Sequence, residues 1–334
     1  MNNQSPNSNN QINTNHQIPI TKLIGFGKLV IDYWLLFGVC LLVIGIYGCQ
    51  NKPPYKETRL AMGTFVEVIS PQKEAARIVF DEIKRIEELL SKYNPNSEIS
   101  RLNREGRIKA SPETFYIIKK SKEFWQLSEG AFDISIGPLM DLWGFSDKKY
   151  RLPPDEEIAR TLKLVGADKI ILRENEFVVE LKIPGMILDL GGIAKGYAVD
   201  CAVKKLKESG VQSCLINAGG NIYALGSNYG HPWKVAIKNP RGGGTLQDYI
   251  NLSDIAVATS GDYEQYFNAG KKRYAHIFNP KTGYPTQSGL ASVTVVAPDA
   301  TTADALSTAI FVLGKQKGET LLKNFPGVKA KIIE

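Results

Sequence analysis

The sequence predicts an α+β fold whose sheets are largely antiparallel. Short strand-like runs are interrupted by only a few long helices, and no regular strand–helix–strand rhythm passes through the chain. From Lys56 onward there is no internal linker, low-complexity stretch or short-period repeat. Residues 58–334 therefore read as one domain.

The elements follow in order. Thr64 to Ser70 reads as a strand. Gln72 to Tyr93 is a strongly amphipathic helix, with Ala75, Ile78, Val79, Ile83, Ile86 and Leu90 at helical spacing. A second helix runs from Pro112, with Ser111 as its N-cap, to Ser128. Strands are expected at Lys169–Leu172, Phe177–Leu181 and Met186–Asp189. A helix from Ile193 to Ser209 stops at Gly210, a good C-terminal cap. Further strands fall at Ser213–Asn217, Ile222–Leu225, Trp233–Ile237, Ala256–Thr259 and Ser292–Val296. Thr301 to Leu313 is the last strong helix.

The N-terminus is foreign to this body. Residues 1–28 are rich in Asn, Gln and Ser and too poor in large apolar side chains to fold. Residues 29–48 contain an uncharged apolar run, Tyr33 to Gly48, with Lys22 and Lys28 ahead of it. Its sixteen residues rise only about 24 Å as a helix, short of the ~30 Å hydrocarbon core. That is the form of a secretory signal segment. The tetrad Ile46-Tyr47-Gly48-Cys49 resembles a bacterial lipobox, which makes Cys49 the expected lipidation site and residues 49–57 a linker. An uncleaved anchor is the alternative. In both readings Lys22 and Lys28 keep the N-terminal side in, and the body lies outside the cytoplasm on the cell membrane.

Composition excludes more than it assigns. With 43% hydrophobic and 22% charged residues the body is ordinary globular material. The formal charge of +7 is spread along the chain, and no nucleic-acid-binding module is visible. A mild positive bias suits an anionic, phosphate-bearing ligand or a membrane surface. Cys201 and Cys214 either pair or are small buried residues on a helix and the following strand. No cysteine or histidine spacing suggests zinc.

Five segments carry chemical promise. In Asp189-Leu190-Gly191-Gly192-Ile193-Ala194-Lys195-Gly196 a strand ends in an acid, two glycines follow, and a helix opens. Exposed amides and the helix dipole there favour phosphate, with Lys195 adding charge; a tight turn with a surface lysine is the alternative. It is not a Walker loop, because no Ser or Thr follows the lysine. In Ala303-Asp304-Ala305-Leu306-Ser307-Thr308, Asp304 and Thr308 are four apart and share a helix face. Carboxylate plus hydroxyl suits Mg²⁺, although an Asp near a helix start is also an ordinary cap. His276 lies in His276-Ile277-Phe278-Asn279-Pro280-Lys281-Thr282-Gly283, where a strand runs into a turn, and can relay a proton or be structural. Ser260-Gly261-Asp262-Tyr263 ends a strand, and no nucleophile elbow surrounds Ser260, which excludes a serine hydrolase. Ala131-Phe132-Asp133 opens the fifth segment, which runs on through Trp143.

Together, in this order, and with Met62-Gly63-Thr64 and Leu90-Ser91-Lys92-Tyr93 ahead of them, these segments closely resemble the ApbE family of FAD:protein FMN transferases. The resemblance spans Arg59 to the C-terminus; one departure is Asn279-Pro280, where members often carry Asp-Pro. It implies that Asp304, Thr308 and the backbone carbonyl of Gly192 bind Mg²⁺. It implies that Met62, Tyr93, Ala131, Phe132, Asp133, Asp189, Lys195 and Phe278 bind FAD, and that His276 serves transfer. The expected reaction moves FMN from FAD to a Thr or Ser hydroxyl of an exported redox subunit, with AMP as leaving group. Two rival readings are an FAD pyrophosphatase on the same site and a non-enzymatic FAD-binding lipoprotein.

Overall fold

Seven antiparallel strands form the central sheet of the computed structural model, which describes residues 53–242, 246–270 and 272–334. Strand β1 (Tyr55–Ala61) is the edge and pairs with β2 (Thr64–Ser70) across a two-residue turn, Met62-Gly63. The order continues through β6 (Cys214–Ala218), β7 (Asn221–Leu225), β10 (Ile255–Gly261), β13 (Ser292–Ala297) and β14 (Lys329–Ile333). Alternating residues send Val66, Val68, Ile216, Ala256, Ala258, Val293 and Val295 to one face, where they join the main core.

Three helices cover that face: α1 (Glu74–Leu90), α6 (Ala194–Glu208) and α7 (Ala300–Leu313). The predicted apolar stripe of α1 is buried as its spacing requires. Helix α6 ends at Gly210, whose φ of +76° is open to glycine at no cost. The start of α7 is held twice. Asp299 caps it by accepting from Thr302 N, and Asp200 of α6 accepts from Ala300 N, Thr301 N and Thr301 Oγ1. The opposite face of the sheet carries a hairpin of β8 (Trp233–Lys238) and β9 (Leu246–Leu252), whose Trp233, Val235 and Leu252 pack on Val257 and Ala224.

Smaller elements surround this frame. Helices α2 (Glu98–Glu105) and α3 (Pro112–Leu127) flank a three-stranded sheet of β3 (Arg107–Lys109), β5 (Val178–Leu181) and β4 (Ile170–Arg173). Ser111 caps α3 as expected, accepting from Thr114 N at 3.2 Å. Helices α4 (Gly137–Leu142) and α5 (Asp155–Leu162) join the hairpin β11 (Tyr266–Ala269)–β12 (Lys272–Ala275) around an aromatic cluster of Trp143, Phe145, Phe267, Tyr274 and Phe278. Helix α8 (Lys315–Leu322) follows α7. The mixed α+β, largely antiparallel architecture is the predicted one.

Two expectations change, and for the two body cysteines the unpaired alternative holds. Met186–Asp189 is not a strand; it makes one isolated bridge, Ile136 to Ile187. Its main chain bonds Ile134 O through Asp189 N and Gly137 N through Ile187 O, and between them Asn103 both donates to Leu188 O and accepts from Leu188 N. The segment 49–57 is not wholly a linker, since β1 already begins at Tyr55. Cys201 and Cys214 are both free, one half-buried and one buried, and burial pushes their thiols up to about 11 and about 12, so neither is a nucleophile at neutral pH. The signal segment, the lipobox and Cys49 lie outside the described residues. Among the described residues no helix is long and apolar enough to cross a membrane.

Candidate active site

A cavity of about 1040 Å³ opens where the N-terminal ends of α6 and α7 meet one end of the sheet. Every residue that the sequence singled out for flavin, metal or proton transfer lines it. They are Met62, Tyr93, Ala131, Phe132 and Asp133 from the first half of the chain, and Asp189, Gly192, Lys195, His276, Phe278, Asp304 and Thr308 from the second. Residues more than 240 positions apart in the chain thus share one wall system.

Asp304, on α7, is the most buried charged residue among them, 5% exposed. Its Oδ2 accepts from Gly196 N at 3.0 Å and lies 4.0 Å from Lys195 Nζ. Burial pushes its carboxyl above the usual carboxylate range, against the pull of Lys195, the Gly196 amide and the side chain of Asn221. A carboxylate so placed gains from a cation. One helical turn on, Thr308 Oγ1 lies 3.3 Å from Ser260 Oγ, which is itself 2.9 Å from Ser307 Oγ. Gly192 sits over the same hydroxyl: a Cβ added there would lie 3.4 Å from Thr308 Oγ1. Carboxylate, hydroxyl and a neighbouring main chain form an all-oxygen donor set of the kind Mg²⁺ takes. The other potential ligand cluster found among the described residues, Glu82, Glu113 and Cys201, already holds a cation, because Arg85 bonds both glutamates at 2.7 and 2.6 Å.

Lys195 bends back to donate to Gly191 O at 2.7 Å. The amides at the start of α6 are less free than the sequence implies, since Ala194 N bonds Leu190 O and Gly196 N bonds Asp304. Charge, more than open amides, is what this terminus offers a phosphate. His276 follows β12 directly. Its Nδ1 lies 3.2 Å from Gln265 O, so an Nδ1–H tautomer donates there and leaves Nε2 as an acceptor. The ring is partly accessible, and what it is open to is the cavity. Burial, then the positive charge of Lys195, lower its pKa to about 4.

Two of the predicted flavin residues do structural work as well. Both carboxylate oxygens of Asp133 are engaged, Oδ1 by Ser135 N and Oγ and Oδ2 by Ala167 N. Asp189 holds the glycine turn through Gly191 N at 2.8 Å and pairs with buried Lys92 at 3.0 Å. Tyr93, by contrast, is 66% exposed at the rim and has the Lys92 ammonium 5.1 Å from its ring centroid. Phe278 is 2% exposed and belongs to the aromatic cluster.

Sequence reasoning missed Asn217, Asn221 and Glu264, which line the same cavity. Burial pushes the Glu264 carboxyl up to about 7, opposed by Lys195 and reinforced by Asp304. Asn221 is 3% exposed and its Oδ1 has no hydrogen-bond partner. Its signal was present in Asn217-Ala218-Gly219-Gly220-Asn221, a strand-to-strand turn in which both glycines have positive φ.

Known proteins match this arrangement along most of the chain. The sequence model of the ApbE family covers residues 62–332. An FAD:protein FMN transferase of Haemophilus influenzae is 39% identical over 70% of this chain and 71% of its own length. Another, from Treponema pallidum, is 32% identical over 90% of this chain and 91% of its own. Among solved structures, the ApbE protein of Thermotoga maritima superposes with a TM-score of 0.78 at 38% identity, over 84% of this chain and 94% of that one. The flavin transferase ApbE of Vibrio cholerae does so at 0.74 and 28% identity, over 84% and 93%. With its sequence and its fold both matching, the chain belongs to the ApbE family.

Proposed function

We propose that the chain is a Mg²⁺-dependent FAD:protein FMN transferase that acts on a Thr or Ser hydroxyl of an exported acceptor protein. The observation that carries this reading is the convergence of Asp304, Thr308, Gly192, Lys195 and His276 on one cavity beside the residues assigned to flavin. Storage of FAD alone would need neither an oxygen donor set nor a proton acceptor. The reading includes a lipid on Cys49 and an extracytoplasmic location, supported by Ile46 to Cys49 and the apolar run before it.

The acceptor hydroxyl attacks the FMN-side phosphorus of FAD. A new O–P bond forms, the pyrophosphate P–O bond breaks, and AMP departs with the electron pair. His276 Nε2 takes the hydroxyl proton in this reading, which its low pKa supports by leaving it neutral at pH 7. Lys195, 4.0 Å from Asp304, supplies positive charge where phosphate oxygens gather. Asp304, Thr308 and the Gly192 carbonyl would hold Mg²⁺, which when bound neutralises pyrophosphate charge.

The deciding experiment incubates the enzyme with FAD, Mg²⁺ and an exported redox subunit, followed by in-gel flavin fluorescence and intact mass. Transfer appears as one FMN added to the subunit. Free FMN and AMP with unlabelled protein would make the chain a pyrophosphatase, and intact FAD would make it a binder. Radiolabelled palmitate incorporation that survives Cys49→Ser would remove the lipid assignment.

A further inference from the structure

The cavity does not end at the flavin and metal residues. It continues around the end of the sheet to the face covered by the β8–β9 hairpin, where Ile222, Val257, Thr259 and Thr294 form its floor. At about 1040 Å³ it is at or above the upper end, about 1,000 Å³, for a pocket holding one small molecule. Four consecutive residues of β8, Val235, Ala236, Ile237 and Lys238, line this second lobe. Side chains alternate along a strand, and here Val235 and Ile237 are buried while Ala236 and Lys238 are exposed. Four in a row therefore mean that the lobe is walled by the edge of the strand and not by one of its faces. From Asp248 to Leu252, β9 contributes nothing to the lining. Among the described residues β8 pairs only with β9, so the edge turned to the cavity carries unpaired main-chain donors and acceptors.

We propose that this free edge of β8 is a strand-addition site, which receives an extended, hydroxyl-bearing segment of the acceptor polypeptide. The inference rests on the transferase reading, which demands that a polypeptide, and not only a nucleotide, reach the interior of the cavity. Main-chain pairing along β8 provides affinity with little dependence on the acceptor's side chains. The apolar floor of Ile222 and Val257 takes one alternating set of them, and Thr259 and Thr294 border it. An independent observation lies at the inner end of the lobe. Asn221 lines the cavity and is 3% exposed, its side chain bonds Asp304, and its Oδ1 is buried just behind the wall with no partner. That buried acceptor is matched by a hydroxyl or amide proton of the incoming segment, next to Asp304 where transfer is placed.

Hydrogen–deuterium exchange on the full chain tests this, with an exported redox subunit that accepts FMN, its acceptor Thr changed to Ala so that the complex persists. In the free enzyme, alternate amides of residues 233–238 exchange fast. Addition of the Ala-bearing subunit with FAD and Mg²⁺ slows them by about tenfold or more, one new hydrogen bond being worth about 1.4 kcal/mol or a factor of ten. FAD and Mg²⁺ alone leave them unchanged. Successive amides point to opposite edges, so one of Val235→Pro and Ala236→Pro removes a free-edge donor and the other breaks the β9 ladder. The former raises KM for the subunit about tenfold, with FAD fluorescence quenching as the check on folding. Slowing by FAD alone would give the lobe to the flavin and overturn the proposal. FMN transfer without protection at 233–238 would overturn it too, while leaving the transferase reading intact. Absence of transfer to any subunit would remove both.

Discussion

Gly196 and Asp304 are bonded across the crossing of α6 and α7, with the Gly196 amide donating to Asp304 Oδ2 at 3.0 Å. No side chain fits between them. A Cβ at position 196 would lie 2.2 Å from Ala300 O, 2.6 Å from Ala300 C and 2.9 Å from Asp304 Cβ, and none of the three is the far end of a flexible side chain. Gly196→Ala is expected to force the helices apart and to move the carboxylate. Overpacking of this kind costs about 1–3 kcal/mol, so urea unfolding should detect it, and FMN transfer should fall with Mg²⁺ present at saturation. An unchanged unfolding midpoint together with full activity would show that the helix contact does not position Asp304.

Asp304→Asn keeps the shape and removes the charge. The buried carboxyl is disfavoured as an anion in the absence of a cation, so the variant without metal is expected to melt at or above the wild-type temperature. The rise in melting temperature that Mg²⁺ with AMP gives the wild type should vanish, and transfer should fall by about 100-fold or more, the scale of losing one charge-stabilising group. A Mg²⁺-dependent melting shift that survives in Asp304→Asn would remove Asp304 from the metal site.

His276 predicts the pH profile. Burial, reinforced by Lys195, takes its pKa from 6.5 down to about 4. The imidazole is therefore neutral and able to take a proton throughout the neutral range, and the acid limb of transfer should lie near 4 and not near 6.5. The folded value is below the unfolded one, so the group's contribution to stability is complete above about 6.5 and is lost as pH falls toward 4. Lys195→Met removes a positive neighbour, and the acid limb should shift upward. His276→Ala should lower transfer by about 10²–10⁴-fold. A profile whose acid limb stays at the same pH in Lys195→Met would separate the two residues.

The long elements were legible because their periodicity is imposed by burial: α1, α3, α6 and α7 stand within a few residues of their predicted limits. The site was legible because its residues cluster in short runs of the chain, and twelve of them line one cavity. What was hidden depends on partners distant in sequence. Met186–Asp189 has a strand's composition, but it makes a single bridge and bonds the Asn103 side chain through Leu188. Glu264 carries no local pattern, and the glycine turn before Asn221 marks a turn and not a site; both gain their meaning from interacting with Asp304, distant in sequence. Strands β11 and β12 have alternating faces too weakly apolar to announce themselves, and they pair because Phe267 and Tyr274 reach the aromatic cluster around Trp143.

Met62 joins stability to binding in one residue. It occupies the first position of the two-residue turn between β1 and β2, with φ +50°, and Gly63 follows at +70°. Two positive φ values in a two-residue hairpin turn favour Asn-Gly, because the strand twist requires a left-handed bend. A side chain such as Met is held there at a cost of about 1–2 kcal/mol. The return is position: Met62 is carried to the cavity wall, where its thioether can pack on a flat ring. Met62→Asn should therefore raise the unfolding free energy by about 1 kcal/mol and weaken FAD binding about 5- to 10-fold, for about 1 kcal/mol of lost apolar contact. Fluorescence titration with FAD and urea unfolding measure the two effects on one sample. A variant that is more stable and binds FAD with wild-type affinity would show that the strained turn serves the hairpin alone.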